Sequence, residues 1–430
     1  MPDTHVAGEV VEMTERTGCV VVGGGPAGMV AGLLLARAGV EVTVLEKHAD
    51  FMRDFRGDTV HPSTLTLLDE LGLGEKFDAL PYSKITTAEF PTADGAMVTL
   101  TDLTRLNVAH PYIAMVPQWD LLNLLADAAT EEKTFTLRMD TEMTGLIRDG
   151  ERVRGITYTT AHGGQGELRA DLVIAADGRW SLARRQAGLQ PIEYDCPFDA
   201  WWFRLSRHDQ EGDGVSALTP WVGNRRFAVP FPRIGYFQIA YFAPKGVDLR
   251  QDGIEAFRAH VTAVHPPLAD RVHELTTMDD VKFLDVHMNL LRRWHLDGLV
   301  CIGDAAHAMS PIGGVGINLA IQDAVAAATL LAQPLRQGRP TPTELAQIRS
   351  RRLLPTMLVQ ALQRILHHSV VRPTMNGTRN GPPEAMIKLF IRFPHLSYIP
   401  ARLLGLGLRP EHAPAFARRP MQPSSRRHRR

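Results

Sequence analysis

The chain has 430 residues, 44% apolar and 22% charged, the proportions of an ordinary soluble protein with room for two or three domains. Its 47 basic and 47 acidic residues cancel, so the body offers no electrostatic reason to expect nucleic acid as a partner. Cys19, Cys196 and Cys301 are too few and too scattered for a disulfide framework or a CxxC redox pair, which points to a reducing, cytoplasmic setting.

Met1–Thr17 is acidic and lacks an apolar stretch of its own, unlike a secretion signal. Gly18–Ala36 carries no charge and is long enough to cross a bilayer, but its glycines and Pro26 sit where a strand, a tight turn and a buried helix need them. Cys19–Val22 is a β-branched run that reads as a buried strand. Gly23, Gly25 and Gly28 then form GxGxxG, with Pro26 and Ala27 opening a helix that runs to Ala38 and stops at Gly39. In such a turn the first glycine permits the bend, the second lets backbone approach a pyrophosphate, and the third brings helix and strand together. A second strand, Val42–Leu45, ends at Glu46 and Lys47. Glu46 lies 23 positions after Gly23, where an acid that accepts ribose hydroxyls is expected. The pattern predicts dinucleotide binding; the competing reading of Glu46 is a surface acid at a strand end.

Further on, Ala88–Leu103 alternates around turn residues and reads as a hairpin. Leu172–Ala176 is another buried strand, followed by Asp177 and Gly178. Asp195–Asp248 is rich in aromatics that alternate with polar residues, which suggests antiparallel strands. Leu299–Gly303 is the last buried strand; Asp304 follows it, then Pro311, Gly313, Gly314, Gly316 and Asn318, and a helix over Val315–Leu331. Pro382-Pro383 breaks the chain before Glu384–Leu408, an apolar stretch with scattered arginines that suits a helical cover or a weakly membrane-seeking surface. Arg418–Arg430 holds six arginines and reads as a disordered basic tail. No cluster of metal-ligand type is visible.

The segments VVVGGGPAG (20–28), DLVIAADGRWSLAR (171–184) and LVCIGDAAHAMSPIGGVGIN (299–318) resemble, in order and sequence, the FAD-binding motifs of the class A flavoprotein monooxygenases, the family of para-hydroxybenzoate hydroxylase. The resemblance implies an α/β fold: a Rossmann-like GxGxxG FAD-binding domain, discontinuous over 1–80, 105–185 and 285–365. Into it an antiparallel β-sheet substrate domain (81–104 and 186–284) is inserted, with a C-terminal helical cover (366–417) and the tail (418–430) following. It implies that Asp177, Gly178, Ser181 and Arg184 serve FAD and the nicotinamide pyrophosphate. Asp304 would bond the ribityl chain, while Pro311, Gly314, Val315, Gly316, Ile317 and Asn318 would lie beside the flavin ring. Arg56 and Gln118 match an arginine near FAD and a helix-start residue near the ribityl chain, or are plain surface and capping side chains. No catalytic side chain is assigned, although Pro311 and Gly314 lie in the loop nearest the reacting ring. His61 and His307 are read as a pre-proline turn residue and a support of the Gly303-Asp304 turn.

The resemblance further implies that NADPH or NADH, for which no second GxGxxG is present, reduces the flavin. O2 then gives a C4a-hydroperoxide that oxygenates an electron-rich, aromatic or polyketide-like small molecule of secondary metabolism. The alternatives are a flavin oxidase, dehydrogenase or prenyl reductase on the same fold, and a non-catalytic flavin-binding regulatory protein. Halogenation is disfavoured because no GWxWxIP segment is found.

Overall fold

The computed structural model describes residues 15–52, 58–92, 96–208 and 217–420. Arg56 and the end of the basic tail lie outside the described residues. The central sheet is α/β: five strands run parallel in the order Leu299–Cys301, Gln165–Ala175, Glu15–Val22, Val42–Leu45, Phe135–Arg138, with antiparallel His295–Leu296 at one edge. The long strand Gln165–Ala175 changes partner along its length. Its first half pairs antiparallel with Arg152–Thr160, its second half parallel with Leu299–Cys301.

The apolar runs explain this layout. Val20, Val21, Leu172, Val173, Ile174, Leu299 and Val300 are all fully buried, as strands covered on both faces require. One face is covered by helix Pro26–Arg37, which ends one residue before the expected Ala38, with Gly39 at φ +80° as its stop. Its Gly32 packs so closely on the sheet that a Cβ there would meet Val44 at 2.7 Å. The last parallel strand leads through a 3-10 turn, Gly303–Ala305, to helix Gly316–Gln337, longer than the expected Val315–Leu331.

A second, antiparallel sheet has the order Trp221–Gly223, Arg226–Pro232, Tyr236–Pro244, Phe198–Ser206, Lys282–Leu284. Most of the aromatics of the middle segment lie here and alternate between its faces. Trp201, Phe203 and Tyr241 pack toward helix Gly253–Val264. Phe198, Phe227 and Phe242 pack toward Val371 and Met375. The expected hairpin forms from Thr87–Pro91 and Met97–Asp102, and Thr59–Val60, Ile113–Met115 and Ser83–Ile85 form a small separate sheet.

Helix Pro342–Leu366 starts on a capping box at Thr341 and Glu344 and continues through a π turn, His367–Val371, into Arg372–Met375. The boundary expected at 365/366 therefore falls inside one helical rod. The two short helices that follow, Glu384–Arg392 and Tyr398–Gly405, expose Leu389, Ile391 and Ile399. Among the described residues no helix is long and apolar enough to cross a membrane.

Candidate functional site

The strand register places the motifs together. Val22 is opposite both Ala175 and Leu45, and Ala175 is opposite Cys301, so four parallel strands end level with one another. The residues that follow those ends are Gly23, Asp177, Glu46 and Gly303, all at the carboxyl edge where open parallel sheets bind ligands.

Each turn has a local reason for its composition. Gly23 has φ +104°, and a Cβ there would meet the Ala176 carbonyl oxygen at 2.5 Å. Gly28 abuts the same turn, with a Cβ reaching the Gly23 carbonyl oxygen at 1.9 Å. Gly25 faces open space: nothing lies within 4 Å of where its Cβ would be. The helix that begins there has no side-chain cap and no acid in its first turn, so its N–H groups face that space unshielded. Glu46 is buried, and its two oxygens accept the Gly24 N–H (3.1 Å) and the His48 N–H (3.2 Å). Thus the acid expected to read a ribose also braces the glycine turn. Lys47 is exposed, 4.0 Å from Glu142.

In the second turn, the Asp177 carboxylate accepts the Ala183 N–H (3.1 Å), and burial pushes its carboxyl above the ordinary carboxylate range. Gly178 has φ +81° and open space at its Cβ position. Arg184 is buried and donates to the carbonyls of Ala305 (3.2 Å) and Arg179 (2.8 Å). Its guanidinium thereby ties the second turn to the third.

The third turn is wedged between the two helix starts. A Cβ at Gly303 would meet those of Ala320 and Ala27 at 3.0 and 3.4 Å. Asp304 remains one-third exposed, with Arg179 4.0 Å away. Helix Gly316–Gln337 also starts without a side-chain cap or an acid in its first turn. The loop before it is fastened from two sides. The Thr59 hydroxyl (2.8 Å) and the His61 Nε2–H (2.9 Å) donate to the Gly314 carbonyl, and Gln363 donates to the carbonyls of Ser310 and Ile312. His61 is fully buried, and burial lowers its pKa to about 4, so the ring is the neutral donor this contact requires. Asn318 is committed to packing: its Oδ1 accepts the hydroxyls of Ser63 (2.7 Å) and Thr64 (2.8 Å).

One residue before Thr59, Asp58 joins this loop to the antiparallel sheet through a buried ion pair with Arg233 (3.1 Å). Burial raises the Asp58 carboxyl, opposed by Arg233 and by a hydrogen bond from the backbone N–H of Gln118, the first residue of helix Gln118–Thr130. On the same sheet, Trp202 stacks on Phe231 at 5.8 Å, and Phe231 lies opposite Gln238. Trp202 Nε1, Arg233 Nη1 and Gln238 Oε1 are buried without a partner among the described residues. Thr59, Asp58, Arg233 and Gln238 stand in none of the sequence motifs. The charged Asp58 beside a β-branched pair was the available signal for the first two.

An open parallel sheet with glycine turns and two bare helix starts at one edge defines a dinucleotide-cofactor protein. The donor set is that of a flavin dinucleotide site: open backbone and positive helix ends for a pyrophosphate, acids for hydroxyls, and backbone rather than side chains beside a planar ring. The FAD binding domain family matches residues 16–360 of the chain. A 6-methylpretetramide 4-monooxygenase of Streptomyces rimosus is 34% identical over 337 residues, which take in 75% of this chain and 77% of that enzyme. A para-nitrophenol 4-monooxygenase of Pseudomonas sp. (strain WBC-3) is 25% identical over 343 residues, 77% of this chain and 81% of that enzyme. Among solved structures, an anhydrotetracycline hydroxylase from Streptomyces rimosus superposes with a TM-score of 0.72 at 25% identity, covering 91% of this chain and 76% of its own. A p-nitrophenol 4-monooxygenase from Pseudomonas putida DLL-E4 shares the fold, with a TM-score of 0.69 at 20% identity over 90% of this chain and 99% of its own. The chain belongs to the class A FAD-dependent monooxygenases.

Proposed function

We propose that the three turns grip one FAD from adenine to ring, and that the chain uses NADPH or NADH and O2 to hydroxylate an aromatic, polyketide-like small molecule. The observation that carries this reading is the level ending of the strands, with Gly303 held between Ala27 and Ala320. In it, Gly23, Gly25, Pro26, Ala27 and Gly28 present backbone N–H groups to the pyrophosphate, and Glu46 and Lys47 border the adenosine ribose. Asp304 accepts from the ribityl hydroxyls. Pro311, Gly314, Val315, Gly316 and Ile317 keep backbone against the ring, and the helix start at Gly316 favours negative charge there. Asp177, Gly178 and Arg184 hold the neighbouring turn in place, as Asn318 does for the loop. The bound flavin supplies hydride acceptance and oxygen activation.

The domain division expected from sequence, apart from the 365/366 boundary, is part of the proposal, with the antiparallel sheet as the substrate face. The unpartnered Trp202 N–H and Arg233 N–H suit an oxygen acceptor on a planar substrate, and the Gln238 carbonyl suits a hydroxyl. Substrates of aromatic polyketide or phenol type are favoured by the names of the relatives. The test is direct. Purified protein should be yellow and should oxidise NADPH or NADH faster when a phenolic polyketide is added, with oxygen from labelled O2 recovered in the product. Colourless protein that takes up no FAD would end the reading.

A further inference from the structure

Behind the Gly303-Asp304 turn lies a row of buried charges that the cofactor site does not use directly. Asp323 has no exposed surface, although it sits, beside buried Gln322, in the alanine-rich helix Gly316–Gln337. One of its oxygens accepts the Gly303 N–H (3.0 Å) and the His307 Nε2–H (2.5 Å). The other accepts Arg352 Nε at 3.0 Å. Arg352, also fully buried, extends Nη2 to Gln322 (3.3 Å) and Nη1 to the Arg409 carbonyl (3.2 Å) and to Glu411 (3.4 Å). Glu411 is 3% exposed and is further clasped by Arg351 at 2.6 to 3.1 Å. Four charged or ionisable groups therefore run unbroken from the cofactor edge to the C-terminal segment. Burial without such pairing would cost several kcal/mol for each ion.

Glu411 lies beyond residue 360, the last that the family matches. The segment bearing it has other fastenings. The Ala413 N–H donates to Glu70 (2.7 Å), His412 pairs with Glu70 (2.8 Å), and Arg37 donates to the Ala417 carbonyl (2.9 Å). Anchoring the segment therefore does not require a buried carboxylate. What Glu411 adds is a second anion on Arg352, which sets the direction of the guanidinium that holds Asp323, which in turn holds the backbone of Gly303.

We propose that Glu411 is a positioning residue for FAD, acting through Arg352 and Asp323 to hold Gly303 and Asp304 in their binding geometry; this rests on the assignment of that turn to the ribityl chain. The C-terminal segment is then part of the cofactor site's support rather than a passive cover.

The experiment is FAD titration of the apoprotein, followed by quenching of flavin fluorescence, with thermal unfolding of the same apoprotein samples. Glu411→Gln, which keeps shape and removes charge, is expected to weaken FAD binding roughly tenfold with little change in apoprotein melting. Glu411→Asp should recover part of the loss. Arg351→Ala, which removes the more exposed clasp and leaves Arg352 in place, should bind FAD nearly as the parent does. Asp323→Asn should weaken binding in the same direction, and the double variant with Glu411→Gln should be less than additive because both act through Arg352. Unchanged affinity in Glu411→Gln, a loss in Arg351→Ala as large as in Glu411→Gln, or strict additivity would overturn the proposal. If Glu411→Gln does not fold, Asp323→Asn and Arg351→Ala decide by the same comparison. A parent protein that binds no FAD would instead sink the cofactor assignment itself.

Discussion

Two glycines of the first turn do different work, and substitution separates them. A Cβ on Gly28 would lie 1.9 Å from the Gly23 carbonyl oxygen, 3.1 Å from its carbon and 3.3 Å from Val21 Cγ1. Real Cβ contacts essentially never fall below 3.0 Å, so helix and turn must part by more than 1 Å. Both sides are backbone and neither can rotate away. Overpacking of this kind costs about 1–3 kcal/mol even where side chains can adjust, so Gly28→Ala should fall at or above the upper end. Gly25 has φ −71° and ψ −179°, which any residue adopts, and its Cβ would project into open space. Gly25→Ala should therefore cost the apoprotein no more than about 1 kcal/mol, the N-cap preference of glycine over alanine. If that space receives the pyrophosphate, however, the added methyl meets the ligand. The assay is urea unfolding of both apoproteins beside FAD titration. Gly28→Ala should lose stability and FAD together, Gly25→Ala FAD alone. Tight FAD binding by Gly25→Ala would refute the placement of the pyrophosphate at this helix start. Unchanged stability in Gly28→Ala would refute the packing argument.

Three further outcomes are expected. Asp304→Ala should weaken FAD binding by the cost of unpaired hydroxyls, about 1–3 kcal/mol, measured by the same titration; equal affinity would remove Asp304 from the site. His61 has a folded pKa of about 4, below the ordinary value near 6.5, so between those values the unfolded chain binds a proton that the native one does not. Stability should be full above about pH 6.5 and fall by up to about 3 kcal/mol as pH drops toward 4, and His61→Gln, whose amide can still donate to Gly314, should shrink that slope in pH-resolved urea unfolding. His367, also lowered to about 4 by burial, contributes to the slope that remains. Trp202→Phe removes one N–H and keeps the stack on Phe231; KM for a phenolic substrate should rise about five- to tenfold with FAD content unchanged, and an unaltered KM would place the substrate elsewhere.

The parts of the fold that could be read from sequence were those whose cause is local. Val20–Val22, Leu172–Ala175 and Leu299–Cys301 are β-branched or apolar runs closed by glycine or aspartate, and they form adjacent strands that end level with one another. The role of His307 as a support of the third turn was legible for the same reason, since it lies four residues beyond Gly303 and closes back on it (its N–H bonds the Gly303 carbonyl at 2.9 Å). Partners joined only by tertiary folding were not legible. Asp58 and Arg233 are 175 positions apart, and Asp323 and Arg352 come from two helices and Glu411 from the irregular segment after the last helix. Neither pairing leaves a spacing to detect. The one trace is a charge where apolar periodicity predicts none, and Asp323 within an alanine-rich helix is the clearest case.

That trace also explains why residues matched by resemblance can carry a different immediate task. Arg184 and Asn318 stand at motif positions, but the first spends its guanidinium on two carbonyls and the second its Oδ1 on two hydroxyls. Such residues hold backbone, and under the proposed function it is backbone that the glycine turns present to a ligand. A motif of this type is then a pattern of turn geometry first and of ligand contacts second. The charge row from Asp323 to Glu411 follows the same logic at longer range, which is why it is invisible to the spacing of any single motif.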